Sequence, residues 1–306
     1  MRVSSSGPRV VRLFVVTKSN TSFVIASRNR SAELAGVVGR LLDTTHCPIV
    51  LVDNASEDDS VSVSTRLAAR SAGRVDVVAL PENLGAVGRN VGVARATTPY
   101  VAFCDDDSWW EPDATLLAED LFDAHPSVAL LAGRTVVWPR QTDDPMVELL
   151  AASPLGHDPA LPGPSILGFL ACSAVVRKTA FEAVGGFSAI LHFRGEERLL
   201  AWDLAAQGWD LCFCPQLIAH HQPSATRPPN AVQTARATRN DVLTAWLRRP
   251  ARSCIVASLD FARAAAVDSA HAKAFVEALR LLPAVVRERR RLPPAVEESL
   301  ARLSTA

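Results

Sequence analysis

Three consecutive aspartates, Asp105-Asp106-Asp107, close the apolar run "YVAFC" and lead straight into Ser108-Trp109-Trp110-Glu111-Pro112. Adjacent carboxylates repel one another, so three of them behind a buried run need a cation or open water. Hard carboxylate oxygens suit Mg2+ or Mn2+, and a carboxylate pair that shares such an ion with a diphosphate is one reading. A solvated acidic turn ahead of a helix start, where negative charge is mildly favourable, is the other. The triplet alone does not separate the two.

Other polar residues invite similar chemistry. Asp53 ends "PIVLVDN" and, as an acceptor-only group, suits the imide N–H of a nucleobase. Asp-Asn-Ala-Ser is also ordinary turn and cap chemistry, a role that Ser56, Glu57 and Asp58 fill. "PENLGAVGRNVGVARA" (81–96) carries Asn83 and glycines 85, 88 and 92 around a helix start. Small residues there let backbone approach a ligand, and Arg89 or Asn90 can meet phosphate or the aspartates. The spacing is GxxGxxxG rather than GxGxxG, which does not support a dinucleotide fingerprint, and close packing of a helix on a sheet accounts for Gly92. One of Trp109 and Trp110 can offer its face to a C–H-rich sugar, the other belonging to the core.

The elements that must position these groups follow from the hydrophobic period. Short apolar runs at 22–26, 48–54, 75–80 and 100–104 alternate with helical periods at 31–43, 57–72, 85–96 and 112–124. Runs this continuous in Val, Ile and Leu are buried on both faces, and helices between them imply parallel βαβ units of an open α/β sheet. Ligands of such sheets bind beyond the carboxyl ends of the strands. Ser27-Arg28, Asp53, Asn83 and Asp105–Asp107 all fall there, and this convergence favours a metal over a solvated turn. Residues 141–164 read as a loop or lid with a short helix near 147–152, and 165–222 as a second α+β section. Beyond Pro223 come Ala/Leu/Arg-rich helices at 230–249, 253–270, 272–290 and 294–303. The expected organisation is an N-terminal extension (1–20), an α/β domain (21–225) and a C-terminal helical region (226–306).

In order along the chain, "VDNASEDDS", "ENLGAVGRNVGVARATTPYVAFCDDD", "VGGF", "RGEE", "QGW" and "HHQPS" resemble the family 2 glycosyltransferases over about residues 22–225. "NDVLTAWLRRP" (240–250) resembles an actinobacterial, rhamnosyltransferase-like branch of that family. The resemblance implies a GT-A fold, a mixed and mostly parallel sheet flanked by helices, here with a C-terminal helical extension. It implies that Asp53 contacts the base and that Arg89 and Asn90 line the donor site. Asp105–Asp107 then form the DxD element, with Asp107 the direct metal ligand and Asp105 nearer the ribose. Glu197, beside Glu196, falls at the position of the general base, and His220 or His221 where some members add a metal or phosphate contact. Relatives commonly read Glu-Asp-x-Asp-Leu where residues 196–200 read "EERLL", so Leu199 replaces an acid and the base lies with one of two glutamates.

The resemblance points to a metal-dependent (Mn2+ or Mg2+), inverting transfer from a UDP- or dTDP-sugar to a hydroxyl of a cell-surface polysaccharide, lipid-linked glycan or glycolipid. A sugar nucleotidyltransferase is the alternative enzyme, but "ASRNRSAEL" lacks the glycines and lysine of a triphosphate loop; an inactive nucleotide-binding scaffold is the alternative outside enzymes. In the 306-residue chain, residues 1–226 hold 18 basic against 25 acidic side chains and residues 227–306 hold 14 against 7. A basic helical tail can meet anionic lipid or form a homodimer face. Nucleic acid is excluded by the lack of a recognition motif and of base-stacking aromatics there. The six cysteines form no CxxC pair and read as reduced, buried thiols. No run is long enough to span a bilayer, so the expected location is the cytoplasm, with peripheral contact at the inner face of the plasma membrane.

Overall fold

The computed structural model describes residues 19–224 and 230–305, so the expected N-terminal extension lies outside the described residues but for Ser19 and Asn20. The alternating pattern folds as β1 (Thr21–Ser27), α1 (Ser31–Thr44), β2 (Ile49–Asp53), α2 (Ser60–Arg70), β3 (Val75–Ala79), α3 (Val87–Arg95) and β4 (Tyr100–Cys104). All residues of β2 and β4 are buried, as runs sandwiched between helical layers must be. The strands are parallel and in step, with Ser27 opposite Asp53 and Ile25 opposite Cys104. Their polar last residues therefore reach one edge together. α2 starts three residues later than its period suggests. Asp53 Oδ2 accepts from the Ser56 amide (2.9 Å) and Asp58 Oδ1 from the Ser60 amide (3.0 Å), so residues 54–59 form a turn. α3 lies flat on the sheet because Gly92 permits it: a Cβ there would stand 2.4 Å from Val24 Cγ1.

The chain continues through β5 (Ser108–Trp110), α4 (Ala114–Ala124), β6 (Val128–Val137), β7 (Thr142–Asp143), α5 (Pro145–Ala151), β8 (Ala174–Arg177), α6 (Lys178–Val184), α7 (Glu196–Ala206) and β9 (Asp210–His221). The sheet order is β3-β2-β1-β4-β8-β6-β9-β5, with β7 on β6. β8 is antiparallel to β4 and β6, β9 is parallel to β6, and β5 is antiparallel to β9. This is the expected mixed, mostly parallel sheet. Three-residue β5 is too short to show a period in the sequence, yet it carries the aspartate turn onto β9. Val147 and Leu150 of α5 sink into the main core, so this part of the expected lid is packed onto the body.

Among the described residues, five helices follow: α8 (Asn230–Arg248), α9 (Ala251–Val267), α10 (Ser269–Arg280), α11 (Leu282–Glu288) and α12 (Pro294–Thr305). Pro283 splits the expected 272–290 helix by opening α11, a position where its missing N–H costs nothing. Leu243, Leu247, Phe261 and Val285 share a core with Ile190, Leu191 and Leu199 of the sheet body. Val296 and Leu300 of α12 enter the main core itself. Arg248, buried, grips Asp203 of α7 with two bonds of 2.5 and 2.8 Å. Among the described residues, no helix is long and apolar enough to cross a membrane.

Candidate functional site

A cavity of about 440 Å3 opens at the carboxyl ends of β1, β2 and β4. One wall is the aspartate turn. The Asp105 amide donates to Ser108 Oγ (2.7 Å) and the Ser108 amide to the Asp105 carbonyl (3.2 Å), so the chain reverses within four residues. The three carboxylates fan out to three different partners. Asp105 Oδ1 accepts from Arg89 (2.5 Å), Asp106 Oδ2 from Ser27 Oγ (2.7 Å), and Asp107 Oδ2 from the Ser224 amide (3.2 Å). Asp107 Oδ1 also lies 3.3 Å from His221 Nε2. Burial pushes the Asp106 carboxyl up to about 7, and the charges of Asp105 and Asp107 add to that against the opposing pull of Ser27 and Arg30.

Arg89 joins this wall to the start of α7. Its side chain is 6% exposed, and it reaches Asp105 on one side and stands 3.9 Å from Glu196 Oε1 on the other. Burial alone would weaken its proton, but the charges of Asp105 and Glu196 outweigh that and hold the guanidinium protonated. Glu196 is buried, with Oε2 unpartnered, and burial followed by the Glu197 charge raises its carboxyl to about 8. Glu197 keeps some exposure, and burial raises it as well. Neither glutamate lines the cavity; Arg89, which does, stands between them and the aspartates.

The other expected site residues divide. Ser27, Arg28 and Asn83 line the cavity, although Arg28 is drawn to Glu57 (2.8 Å) and Asn83 Oδ1 caps the Gly85 amide (2.9 Å). Asp53 is not among the lining residues: one oxygen holds the Ser56 amide, while Oδ1 is buried without a partner. Its neighbour Asn54 lines the cavity instead, bonded to the backbone of Leu84 and Gly85. Asn90 departs from the expectation, because its amide is used up on Phe187, donating to the carbonyl and accepting from the amide at 2.9 Å each. It fastens the Gly185-Gly186-Phe187 turn to α3 and does not reach the cavity.

Trp109 and His220, expected at the site, are not among the lining residues either. They sit opposite each other in the β5–β9 ladder, with rings stacked at 5.4 Å. Arg40 of α1 covers the Trp109 ring at 4.1 Å, so no sugar can use that face. Trp110 donates its Nε1–H to the Phe103 carbonyl (2.9 Å) and is core. Both ring nitrogens of His220 are engaged, with Trp138 at 2.9 Å and Glu111 at 2.6 Å. Alternation along β9 explains the difference from His221, whose side chain lines the cavity beside Asp107.

Several lining residues gave no local signal. Arg30 lies two residues past the strand-end pair, and Arg194 and Arg236 come from segments about 165 and 205 residues downstream of it. His192 and Arg194 hold left-handed backbone (φ 61° and 78°) in a strap that ends at Gly195. Its one signal in the sequence is "RGEE", which marks where the strap ends and α7 begins.

Among the described residues, no group of three or more His, Cys, Asp and Glu side chains is gathered as a closed metal cage. Asp107 and His221 form a two-donor corner on the cavity wall, with Asp105 on the same turn. Mg2+ or Mn2+ held with a diphosphate takes most of its ligands from water and phosphate and needs only one or two from the protein, so this donor set fits such an ion.

A model of the family described as "Glycosyl transferase family 2" matches residues 22–185. A pre-mycofactocin glycosyltransferase of Mycobacterium tuberculosis is 29% identical over 225 residues, 68% of this chain and 44% of that protein. The succinoglycan biosynthesis protein ExoU of Rhizobium meliloti is 31% identical over 109 residues, 34% of this chain and 32% of that one. The chain thus spans less than half the length of these curated relatives. Among solved structures, the mannosyltransferase PcManGT of Pyrobaculum calidifontis, in complex with GDP-Man and Mn2+, superposes with a TM-score of 0.59 at 17% identity, over 95% of this chain and 87% of that one. S. aureus TarS 1-349 in complex with UDP-GlcNAc gives 0.57 at 14% identity, over 92% and 84%. Both have the fold described above.

Proposed function

This chain belongs to glycosyl transferase family 2, and from that membership we propose that its cavity transfers a sugar from a UDP- or dTDP-sugar, with Mn2+ or Mg2+, to a hydroxyl of a glycan or lipid-linked acceptor. The observation that carries the reading is Arg89, which stands between the aspartate turn and Glu196 at the start of α7. The complexes of fold relatives with UDP-GlcNAc, and with GDP-Man and Mn2+, add support.

In this reading Asp107 and His221 hold the ion, which when bound neutralises charge developing on the diphosphate leaving group. Asp53 Oδ1, buried and unpartnered, takes an imide N–H of the base once the neighbouring turn admits it. Arg89 orients Asp105 and keeps its positive charge at the diphosphate side. Glu197, which keeps more exposure than Glu196 although neither lines the cavity, accepts the proton of the acceptor hydroxyl, while Glu196 stays buried beside Arg89. With one base and no protein nucleophile, displacement is in-line and inverts the anomeric carbon.

The acceptor's setting is suggested by α10 and α11. Val276, Leu279, Leu282 and Val286 are exposed at 47%, 44%, 37% and 73%, interleaved with Arg280 and Arg287. Apolar side chains among arginines suit the surface of an anionic bilayer, consistent with a lipid-linked acceptor and a peripheral, cytoplasmic location. Val286→Ser with Leu279→Ser should reduce co-sedimentation with phosphatidylglycerol vesicles; unchanged sedimentation with a change in oligomer mass would assign the face to a homodimer instead. For the activity itself, a thermal-shift screen of nucleotide sugars with Mn2+ should show stabilisation by a UDP- or dTDP-sugar, and a flat screen would contradict the reading.

A further inference from the structure

The segment "NDVLTAWLRRP", whose role the cavity does not explain, begins with Asn240, a buried amide of the C-terminal helices. Asn240 is 0% exposed, on the inner face of α8. Its Nδ2 group lies within hydrogen-bond distance of the carbonyls of Leu191 (2.9 Å), Phe193 (2.9 Å) and Arg194 (2.6 Å), its two hydrogens shared among the three. Its Oδ1 accepts from Arg239 Nε (3.0 Å), and Arg239 in turn reaches Glu277 of α10 at 2.6 Å. One side chain thus gathers three carbonyls of a strap that local sequence gives little reason to hold.

That strap is under constraint from its other side too. His192, Arg194 and Gly195 lie at φ 61°, 78° and 77°, a conformation that costs non-glycine residues about 1 kcal/mol or more and needs outside support. The His192 carbonyl accepts from the Ala86 amide at 2.6 Å, and a Cβ on Gly85 would stand only 2.2 Å from that oxygen. The strap is therefore pinched between the turn before α3 and Asn240 of α8. It brings His192, Phe193 and Arg194 to the cavity wall and then becomes the first turn of α7, where Glu196 and Glu197 stand.

We infer that Asn240 is a positioning residue: by clamping the 191–194 strap it sets where the Arg194 wall and the Glu196-Glu197 turn stand relative to the aspartates. The C-terminal helices are on this account part of the site's machinery, acting through the strap without touching the substrate. The inference rests on the proposed transfer reaction for its catalytic consequence, but not for the clamp itself.

The test uses the full chain with Asn240→Ala, the milder Asn240→Ser, which keeps one donor, and Phe261→Leu, which loosens the core this helical layer shares with Leu191 but leaves every hydrogen bond to the strap in place. Amide exchange over residues 191–197 should quicken by about tenfold in Asn240→Ala, less in Asn240→Ser, and not in Phe261→Leu, as expected when a buried bond is lost locally. Binding of UDP with Mn2+ should stay within about twofold, while hydrolysis of UDP-glucose falls about tenfold or more in Asn240→Ala and recovers partly in Asn240→Ser. Strap exchange equal to wild type in both Asn240 variants, or hydrolysis no lower than in Phe261→Leu, would overturn the clamp. Failure of wild type to bind UDP would sink the transferase reading instead, with the exchange measurement still deciding the clamp.

Discussion

Arg89 meets Asp105 at 2.5 Å and Glu196 at 3.9 Å from a position almost wholly out of water, so one guanidinium is the hinge between the two acidic groups of the site. Buried charges persist only when paired, and each acid here depends on the same cation. Arg89→Lys keeps the charge but not the planar two-sided reach. It should lower kcat/KM by about a hundredfold, roughly 2.7 kcal/mol. Arg89→Ala should in addition lower the Tm, since it strands buried Glu196. A lysine variant as active as wild type would show that charge alone suffices.

The raised glutamates predict a pH profile. Activity should climb as pH rises above the ordinary carboxylate range, because Glu197 must lose its proton to act and burial raises its carboxyl. Stability should move the other way. The folded chain holds the Glu196 proton more tightly than the unfolded chain, so its contribution is full below 4.5 and is lost as pH approaches about 8. Denaturant titrations of Glu196→Gln should show a flatter dependence of stability on pH across that window, and a slope equal to wild type would remove Glu196 as the cause.

The two adjacent histidines should separate cleanly. His221→Ala should weaken Mn2+-dependent nucleotide binding by about tenfold, the loss of one ligand from a two-donor corner. His220→Ala should leave that binding unchanged and lower the Tm, because it removes partners of Trp138 and Glu111. Isothermal titration in Mn2+ reads both, and the reverse pattern would exchange their roles.

Gly85→Ala is the backbone test. At φ +59°, with the His192 oxygen 2.2 Å from the new methyl, the side chain cannot be accommodated without moving the strap. A loss of about 2 kcal/mol or more in stability is expected, accompanied by reduced activity. Gly73→Ala, also left-handed but with open space around it, should cost only the strain of about 1 kcal/mol and spare activity.

Much of this was legible in the sequence, and what was not has a physical reason. Strands β1, β2 and β4 are buried on both faces, which leaves continuous apolar runs whose ends name Ser27, Asp53 and the three aspartates. Trp109 misled because an aromatic next to acids suggests a sugar platform, whereas β5 turns it onto His220 and Arg40. Asn90 misled for a similar reason: an amide beside Arg89 suggests a ligand contact, but helical spacing aims it at Phe187. Arg236 was illegible as a site residue because tertiary packing, not local spacing, carries it there, and Arg194 and Asn240, though within "RGEE" and "NDVLTAWLRRP", get their positions from the same packing.

The most direct measurement is the affinity of UDP, dTDP and GDP for wild type and Asp107→Asn, titrated with and without Mn2+. Asp107 loses its charge in this variant but keeps its shape, so the fold should be retained. The account predicts that wild type binds UDP or dTDP with Mn2+, at least about tenfold more tightly than without it, and that Asp107→Asn loses this metal dependence. Equal affinity of the two proteins in Mn2+, or binding indifferent to the metal, would contradict it.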